Sequence, residues 1–319
     1  MQVQHEYIGR ARELEQLEKA IAEERNGAIM IAGKSSSGKT HFSDYIANKL
    51  FTGKVFRIDS FGKQGTIKEL QHSIASATGK SGGIEQSISE MPRNSIILVN
   101  DIEVWWDRTL EKDALKVLIE MVEKFHRKHT FILTVNLHAM EALSKQRPLK
   151  KVITTTIILP PISKEAMKAI ILERHKIGGL DLVFQEEENR LEGKHLNQLI
   201  SKIYSESEGI VGLGLQIWLR QIHAFSDNKI YMEKQPVLEL LKVSEAYWKL
   251  LLYQFLINKN LTKAKLAAIF GADTSEIAVF ISELVKAELL DEVGKNTFTL
   301  NNVVKPNIEN WLTSINILN

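Results

Sequence analysis

The chain has 319 residues and a formal net charge of +2, long enough for two or three small domains around at least one sizeable core. Near-neutrality excludes a global positive field of the kind that draws proteins onto nucleic acid. The absence of cysteine excludes disulfides and thiolate zinc sites and suits a reducing compartment. No apolar run reaches bilayer-crossing length and no basic-then-apolar leader opens the sequence, so the reading is a cytoplasmic protein without direct membrane insertion. The early helix entry at Gly9-Arg10 also suits a piece excised from a longer chain.

Leu14, Leu17 and Ile21 recur at three- and four-residue spacing among charges, which predicts an amphipathic helix over 11–24 ended by Asn26-Gly27. The buried strand Ala28-Ile29-Met30-Ile31-Ala32 follows and runs into Gly33-Lys34-Ser35-Ser36-Ser37-Gly38-Lys39-Thr40. A helix through Phe42, Tyr45, Ile46 and Leu50 comes next. Strand, glycine-rich loop and helix in that order are what a nucleoside triphosphate needs. Backbone N–H groups of the loop surround phosphate oxygens, Lys39 reaches the outer phosphates, and the Thr40 hydroxyl ligates magnesium. The positive end of the helix faces the same charge. A chance match in a serine-rich turn is the alternative, and the flanking strand and helix argue against it.

Further strands are predicted over 54–58, 95–99, 130–135 and 154–159, the last stopped by Pro160-Pro161. Helices are predicted over 67–77, 85–91 and 110–128. Strands alternating with helices imply an α/β domain over 1–161 with a parallel sheet covered on both faces. Three helices without an intervening strand, over 164–176, 196–207 and 213–225, predict a helical lid domain over 162–228. The polar stretch 226–235 reads as a linker. Residues 229–319 hold that linker and a winged helix, with helices over 243–258, 262–270 and 274–289 and two short strands within 291–300.

The strand Ile96-Ile97-Leu98-Val99 ends in Asn100-Asp101-Ile102-Glu103. Carboxyl ends of parallel strands border the ligand crevice, so these groups approach the phosphate loop. Asp101 either serves the bound nucleotide or caps the next helix, and Glu103 otherwise faces solvent. Asn136, at the end of the next strand, either bonds the attacking water or the outer phosphate, or simply starts a turn to Leu137-His138. Trp105 and Trp106 are adjacent, and neighbours on a helix point apart. They are therefore not expected to share one core pocket.

With these motifs in place, the chain resembles the AAA+ ATPases, especially the branch near the replication initiator and origin-recognition ATPases, and also the related STAND-type signalling ATPases. The resemblance spans nearly the whole chain: nucleotide sheet, helical lid, winged helix. Gly33, Lys34, Ser35, Ser36, Ser37, Gly38, Lys39 and Thr40 match its Walker A motif, Ile96 to Asp101 its Walker B, and Asn136 resembles sensor 1. Ile8-Gly9-Arg10, with Glu13, resembles the box that lies near the adenine. The resemblance implies ATP and Mg2+ as cofactors, with Thr40 and Asp101 at the metal. It also implies an arginine finger, for which Arg147 stands in the right region beside Lys145, Lys150 and Lys151, and a sensor 2, for which Arg220 is a late candidate. Arg174-His175 is another candidate positive group, or simply a favourable charge at a helix end.

One departure concerns position 100, where the family has an acid and this chain has Asn100. In one register Asn100 stands at the magnesium-supporting position and Asp101 at the water-activating one. Shifting by one returns Asp101 to magnesium and leaves Glu103 as a poorly placed base. An amide lacks the charge that helps to hold the metal. The first register, which is preferred, therefore leaves a slow ATPase, a binding switch or a substitution made to trap ATP. Neither register favours rapid turnover.

Over 241–319 eight lysines balance eight acids, and the helix expected to enter a DNA groove carries Glu276, Glu283 and Glu288 against Lys286. Phosphate binding prefers the opposite sign. The resulting reading is an ATP-binding, slowly hydrolysing conformational switch, with ATP between sheet and lid and the winged helix acting on a protein partner. Nucleotide-dependent self-association would let a neighbour complete the site. A DNA-associated ATPase of initiator, loader or transposition-helper type is the first alternative, and a non-hydrolysing nucleotide-binding adaptor is the second.

Overall fold

A computed structural model describes residues 7–23, 28–60, 65–107, 110, 113–146, 151–177, 181–184, 193–226, 229–232, 246–315 and 317. The first elements in chain order are α1 (Ala11–Glu23), β1 (Ala28–Gly33), α2 (Lys39–Lys49), β2 (Val55–Ile58), α3 (Ile67–Thr78) and α4 (Ile84–Ser89). They are followed by β3 (Ile96–Val99), a 3₁₀ turn (Ile102–Trp105), α5 (Ala114–Phe125), β4 (Thr130–Asn136), α6 (Leu137–Gln146) and β5 (Ile153–Leu159). The five strands form one parallel sheet in the order β2-β3-β4-β1-β5. Every residue of β1, β3 and β4 is buried, as continuous apolar runs inside a two-faced parallel sheet should be. Gly33 pairs in register with Asn136 on one side and Leu159 on the other, which sets the phosphate loop beside the end of β4.

Local chemistry explains the helix limits. Thr66 and Glu69 form a reciprocal capping box at the start of α3, and Gly79 closes it in the left-handed conformation. The sequence predicts the next long helix from 110, but α5 starts at Ala114 because Asp113 caps it, accepting from the Lys116 N–H. A helix the sequence reading did not place, α6, follows Asn136 directly where a turn was one alternative, and Asn136 Oδ1 accepts from the His138 N–H at 2.9 Å.

Trp105 and Trp106 overturn the expectation that adjacent tryptophans separate. Both are about 1% exposed and belong to the same core as Ile58, Ile74, Ile97 and Leu118. The helical reasoning fails because the 3₁₀ turn stops at Trp105. Trp106 is extended at φ −86° and ψ 125°, which returns its indole to the interior.

Grouping the chain by its internal contacts gives two units. One holds 1–14, 36–38 and 160–241; the other holds 15–35, 39–159 and 242–319. The first contains α7 (Lys164–Ile177), β6 (Asp181–Phe184), α8 (Gly193–Ser207), α9 (Val211–Arg220), β7 (Ile222–Ser226) and β8 (Lys229–Met232). Met167, Ile171, Ile200, Ile203 and Trp218 form its core. The prediction of a strandless region fails here, as does that of a linker over 226–235. Helix α9 ends at Arg220, and β7 pairs antiparallel with β8, which pairs parallel with β6. Only two residues separate β7 from β8, and so short a connection favours a hairpin over a spacer.

The C-terminal part of the second unit comprises α10 (Ala246–Asn258), β9 (Asn260–Thr262), α11 (Lys263–Phe270), α12 (Thr274–Lys286), β10 (Leu290–Gly294), β11 (Thr297–Leu300) and α13 (Lys305–Ser314). Thr262 caps α11, Gly271 closes it in the left-handed region, and Asp273 caps α12. The antiparallel sheet β10-β11-β9 completes the winged helix. Two elements lie beyond the sequence reading: the short strand β9 and the terminal helix α13, with Pro306 in its first turn.

Truncation of Trp105 to alanine removes a wholly buried indole from the sheet core. We expect it to lower unfolding free energy by about 3–5 kcal/mol, read from denaturant melts of the wild type and variant.

Candidate functional site

The phosphate loop leaves β1 at Gly33 and enters α2 at Lys39. Ser36 and Gly38 have φ of 60° and 88°, so the backbone twice takes the left-handed conformation between the flanking elements. Turns of this kind aim successive N–H groups at one point and make an anion-binding concavity. Gly38 suits its position because a side chain there would be strained. The Lys39 ammonium folds over its own loop and donates to the Gly33 and Lys34 carbonyls, both at 2.9 Å. Burial pulls its pKa below the usual lysine value, against the opposing charges of Asp101 and Glu103. The Ser37 hydroxyl is buried without a hydrogen-bond partner, and the Thr40 side chain is exposed.

In the 36–38 and 160–241 unit, the Gly212 N–H donates to the Ser36 carbonyl at 2.8 Å. A Cβ on Gly212 would stand 2.8 Å from Ser36 Cβ and O, so the first turn of α9 approaches the loop as only glycine allows. Arg220 lies eight residues further along α9, about 12 Å from Gly212 along the helix axis. Arg10 donates to the Ser37 carbonyl at 3.2 Å and to the Pro160 carbonyl at 2.5 Å, while Ile8 packs on the Met167 core. Arg147 lies outside the described residues, as does the side chain of His175.

Behind β3, Asn100 is buried and fully engaged. Its amide nitrogen donates to Asp59 at 3.0 Å, and its oxygen faces the Ser43 and Thr134 hydroxyls at 3.5 and 3.4 Å. Asp101 caps no helix with its side chain. It stands at φ 51° with its N–H on the Thr134 hydroxyl at 2.9 Å, and its carboxylate is hydrogen-bonded and ion-paired to Lys259. Burial works against the charge on Asp101, yet the charge and hydrogen bond of Lys259 win and hold its pKa below the usual carboxylate value.

Glu103 is not solvent-facing. It is 3% exposed, its Oε1 accepts from the Asn136 N–H at 3.3 Å, and its Oε2 has no partner. Burial, reinforced by the nearby Asp101 charge, pushes its pKa up to about 7. Asn136 is brought to the loop as the sequence implies, its amide donating to the Ser35 hydroxyl at 3.1 Å.

The C-terminal part adds residues that the sequence does not mark. Lys259 meets Asp101; Glu309, wholly buried, has Oε1 2.7 Å from His138 Nε2; Asn310 accepts from Lys34 at 3.5 Å. Lys265 donates to the Trp106 carbonyl at 2.7 Å and lies 3.6 Å from Asp107. Lys305, at the start of α13, is partly buried, and burial lowers its pKa below the usual lysine value. None belongs to a motif, and their convergence is a product of tertiary packing alone.

The donor set decides which groups can be held. A polyphosphate fits: the twisted loop, the Lys39 ammonium and the unpartnered Ser37 hydroxyl all offer hydrogen bonds to an anion. A carboxylate-held magnesium ion does not. Position 100 is an amide already bonded on both ends, Asp101 is occupied by an ammonium, and only the Thr40 hydroxyl is left of the expected metal donors. Among the described residues no group of three or more histidine or acidic side chains could hold a metal, and no helix is long and apolar enough to cross a membrane.

The parallel sheet with its phosphate loop and the C-terminal winged helix give this chain a fold similar to solved structures of ORC1, ORC2 and Cdc6p. ORC1 of Aeropyrum pernix, solved in complex with DNA, superposes with a TM-score of 0.51 at 13% identity over 98% of this chain and 94% of its own. ORC2 of the same organism follows at TM-score 0.49 and 11% identity, covering 98% and 97% of the two chains. Cdc6p of Pyrobaculum aerophilum gives 0.47 and 11%, covering 99% and 97%. The fold assignment rests on the first. No family profile and no curated protein sequence matches the chain.

The raised pKa of Glu103 has a stability consequence. A carboxyl group raised in the fold contributes stability that is fully present below its unfolded value and is lost as pH rises through about 7. Wild-type unfolding free energy, compared between pH 5 and pH 8, should therefore fall more than that of Glu103→Gln. Denaturant melts at both pH values read the difference, and parallel losses would mean that Glu103 is not the titrating group.

Proposed function

We propose that this protein is a nucleotide-binding switch with weak ATPase activity, built on the initiator-type AAA+ fold. The observation that carries this reading is the phosphate loop itself: β1 delivers it, Asn136 braces it through Ser35, and Lys39 lies across it. The loop amides and Lys39 would bind the phosphates. Asn136 and one of Asp101 or Glu103 would position water, a hydroxide equivalent being needed for hydrolysis. Slow turnover follows from the engaged states of Asn100 and Asp101. ATP is the nucleotide implied by the family resemblance, and Arg147 of a neighbouring copy remains the proposed finger.

For the output, the solved ORC1–DNA complex, matched over nearly the full length of both chains, favours DNA. Against it stands one specific observation: α12 carries Glu276 and Glu283 against Lys286, with Glu288 just beyond its end, which favours a protein partner. Duplex binding that strengthens with ATP and weakens steeply with salt would select the first output. ATP binding without any salt-sensitive duplex binding would select the second.

Phosphate release should be measured across a protein concentration series, with Lys39→Ala as the blank. We expect slow turnover per molecule that rises with concentration and disappears in the blank. If it does, Arg147→Ala should lower turnover about 10³-fold or more, as loss of a transition-state cation does. Binding without turnover at any concentration would reduce the protein to an adaptor.

A further inference from the structure

The C-terminal part sets four polar side chains on the carboxyl edge of the sheet. Lys259 reaches Asp101 behind β3, Lys265 the Trp106 carbonyl, Glu309 His138 behind β4, and Asn310 Lys34 in the phosphate loop. The position of Lys259 is tightly specified. It occupies the single-residue connection between α10 and β9 at φ 59°, and its carbonyl accepts from the Thr299 hydroxyl at 2.9 Å. A left-handed lysine is strained and persists only where its surroundings impose it. Here they hold its ammonium on the acid that ends β3.

Charge at this edge runs opposite to what a magnesium site needs. Magnesium bound with nucleotide relies on one or two carboxylates besides the phosphates. This chain has an amide at position 100 and an ammonium on Asp101, with Lys39 and Lys305 nearby as further cations. An ammonium is a compact charge with three rotatable donors, suited to bind phosphate as a point charge. We propose that Lys259, assisted by Lys305, is a phosphate-binding residue of the nucleotide site, and that it neutralises the outer phosphates where related folds use magnesium. The winged helix thus completes the site within one chain. On nucleotide entry the Lys259 ammonium is shared between Asp101 and the outer phosphate. A nucleotide lacking that phosphate leaves Lys259 on Asp101 alone.

This inference rests on the nucleotide-binding reading above, and calorimetric titration with ATP in excess EDTA and in excess magnesium separates the two. Wild-type protein should bind ATP in EDTA within about threefold of its affinity in magnesium, a difference below 1 kcal/mol. Lys259→Ala should weaken ATP in EDTA by about tenfold or more, Lys259→Arg should recover part of the loss, and Lys295→Ala on the exposed wing should change nothing. Asp101→Asn releases the Lys259 ammonium and should strengthen ATP binding in EDTA, a gain that a misfolded variant does not produce. Binding only in magnesium overturns the role of Lys259 and leaves the nucleotide reading intact. Binding in EDTA that Lys259→Ala leaves unchanged also overturns it. No binding in either condition, matching Lys39→Ala, overturns both.

Discussion

β1 is enclosed by β4 on one edge and β5 on the other, with every residue buried and paired in parallel on both sides. A strand so placed cannot shift register without exposing its apolar side chains or breaking paired amides. The point at which Gly33 leaves the sheet is therefore fixed, and with it the origin of the phosphate loop. The in-register partner of Gly33 is Asn136, so the same ladder puts the amide that braces Ser35 beside the loop. Lys39 then has one short path, back across the loop to the carbonyls of Gly33 and Lys34.

The acidic side of the site is governed by burial. Glu103 is buried with one oxygen on the Asn136 N–H, and loss of solvent weakens it as an acid. Asp101, two residues earlier, keeps its charge because Lys259 answers it. Two carboxyl groups in one short segment thus have environments that push their protonation apart, the arrangement by which a single fold separates proton-holding from charge-holding roles. His138 and Glu309 add a second polar pairing at the same edge.

The sequence motifs and the local chemistry agree at the phosphate loop and diverge at the expected metal donors. Thr40 is exposed in the first turn of α2. Asn100, however, is turned into a structural bridge between Asp59 on one side and Ser43 and Thr134 on the other. An amide suits that bridge, since it both donates and accepts, whereas a carboxylate would repel Asp59. The residue at position 100 therefore has a stable structural role that needs no metal.

What was legible in the sequence is what local patterning controls. Continuous apolar runs announced β1, β3 and β4. Glycine with lysine and threonine after the first run announced the phosphate loop, and the helices expected over 67–77 and 262–270 lie within a residue or so of α3 and α11. The hairpin of β7 and β8 was hidden because short alternating segments resemble helix ends and linkers when read alone, and pairing is a non-local event. Trp106 was misjudged because a 3₁₀ turn gives way to extended backbone one residue before it. The joining of Lys259 to Asp101, of Glu309 to His138 and of Asn310 to Lys34 spans more than 150 residues in each case. Sequence periodicity carries no information at that range. Only the folded chain, by packing its winged helix against the carboxyl edge of the sheet, determines which lysine faces which acid.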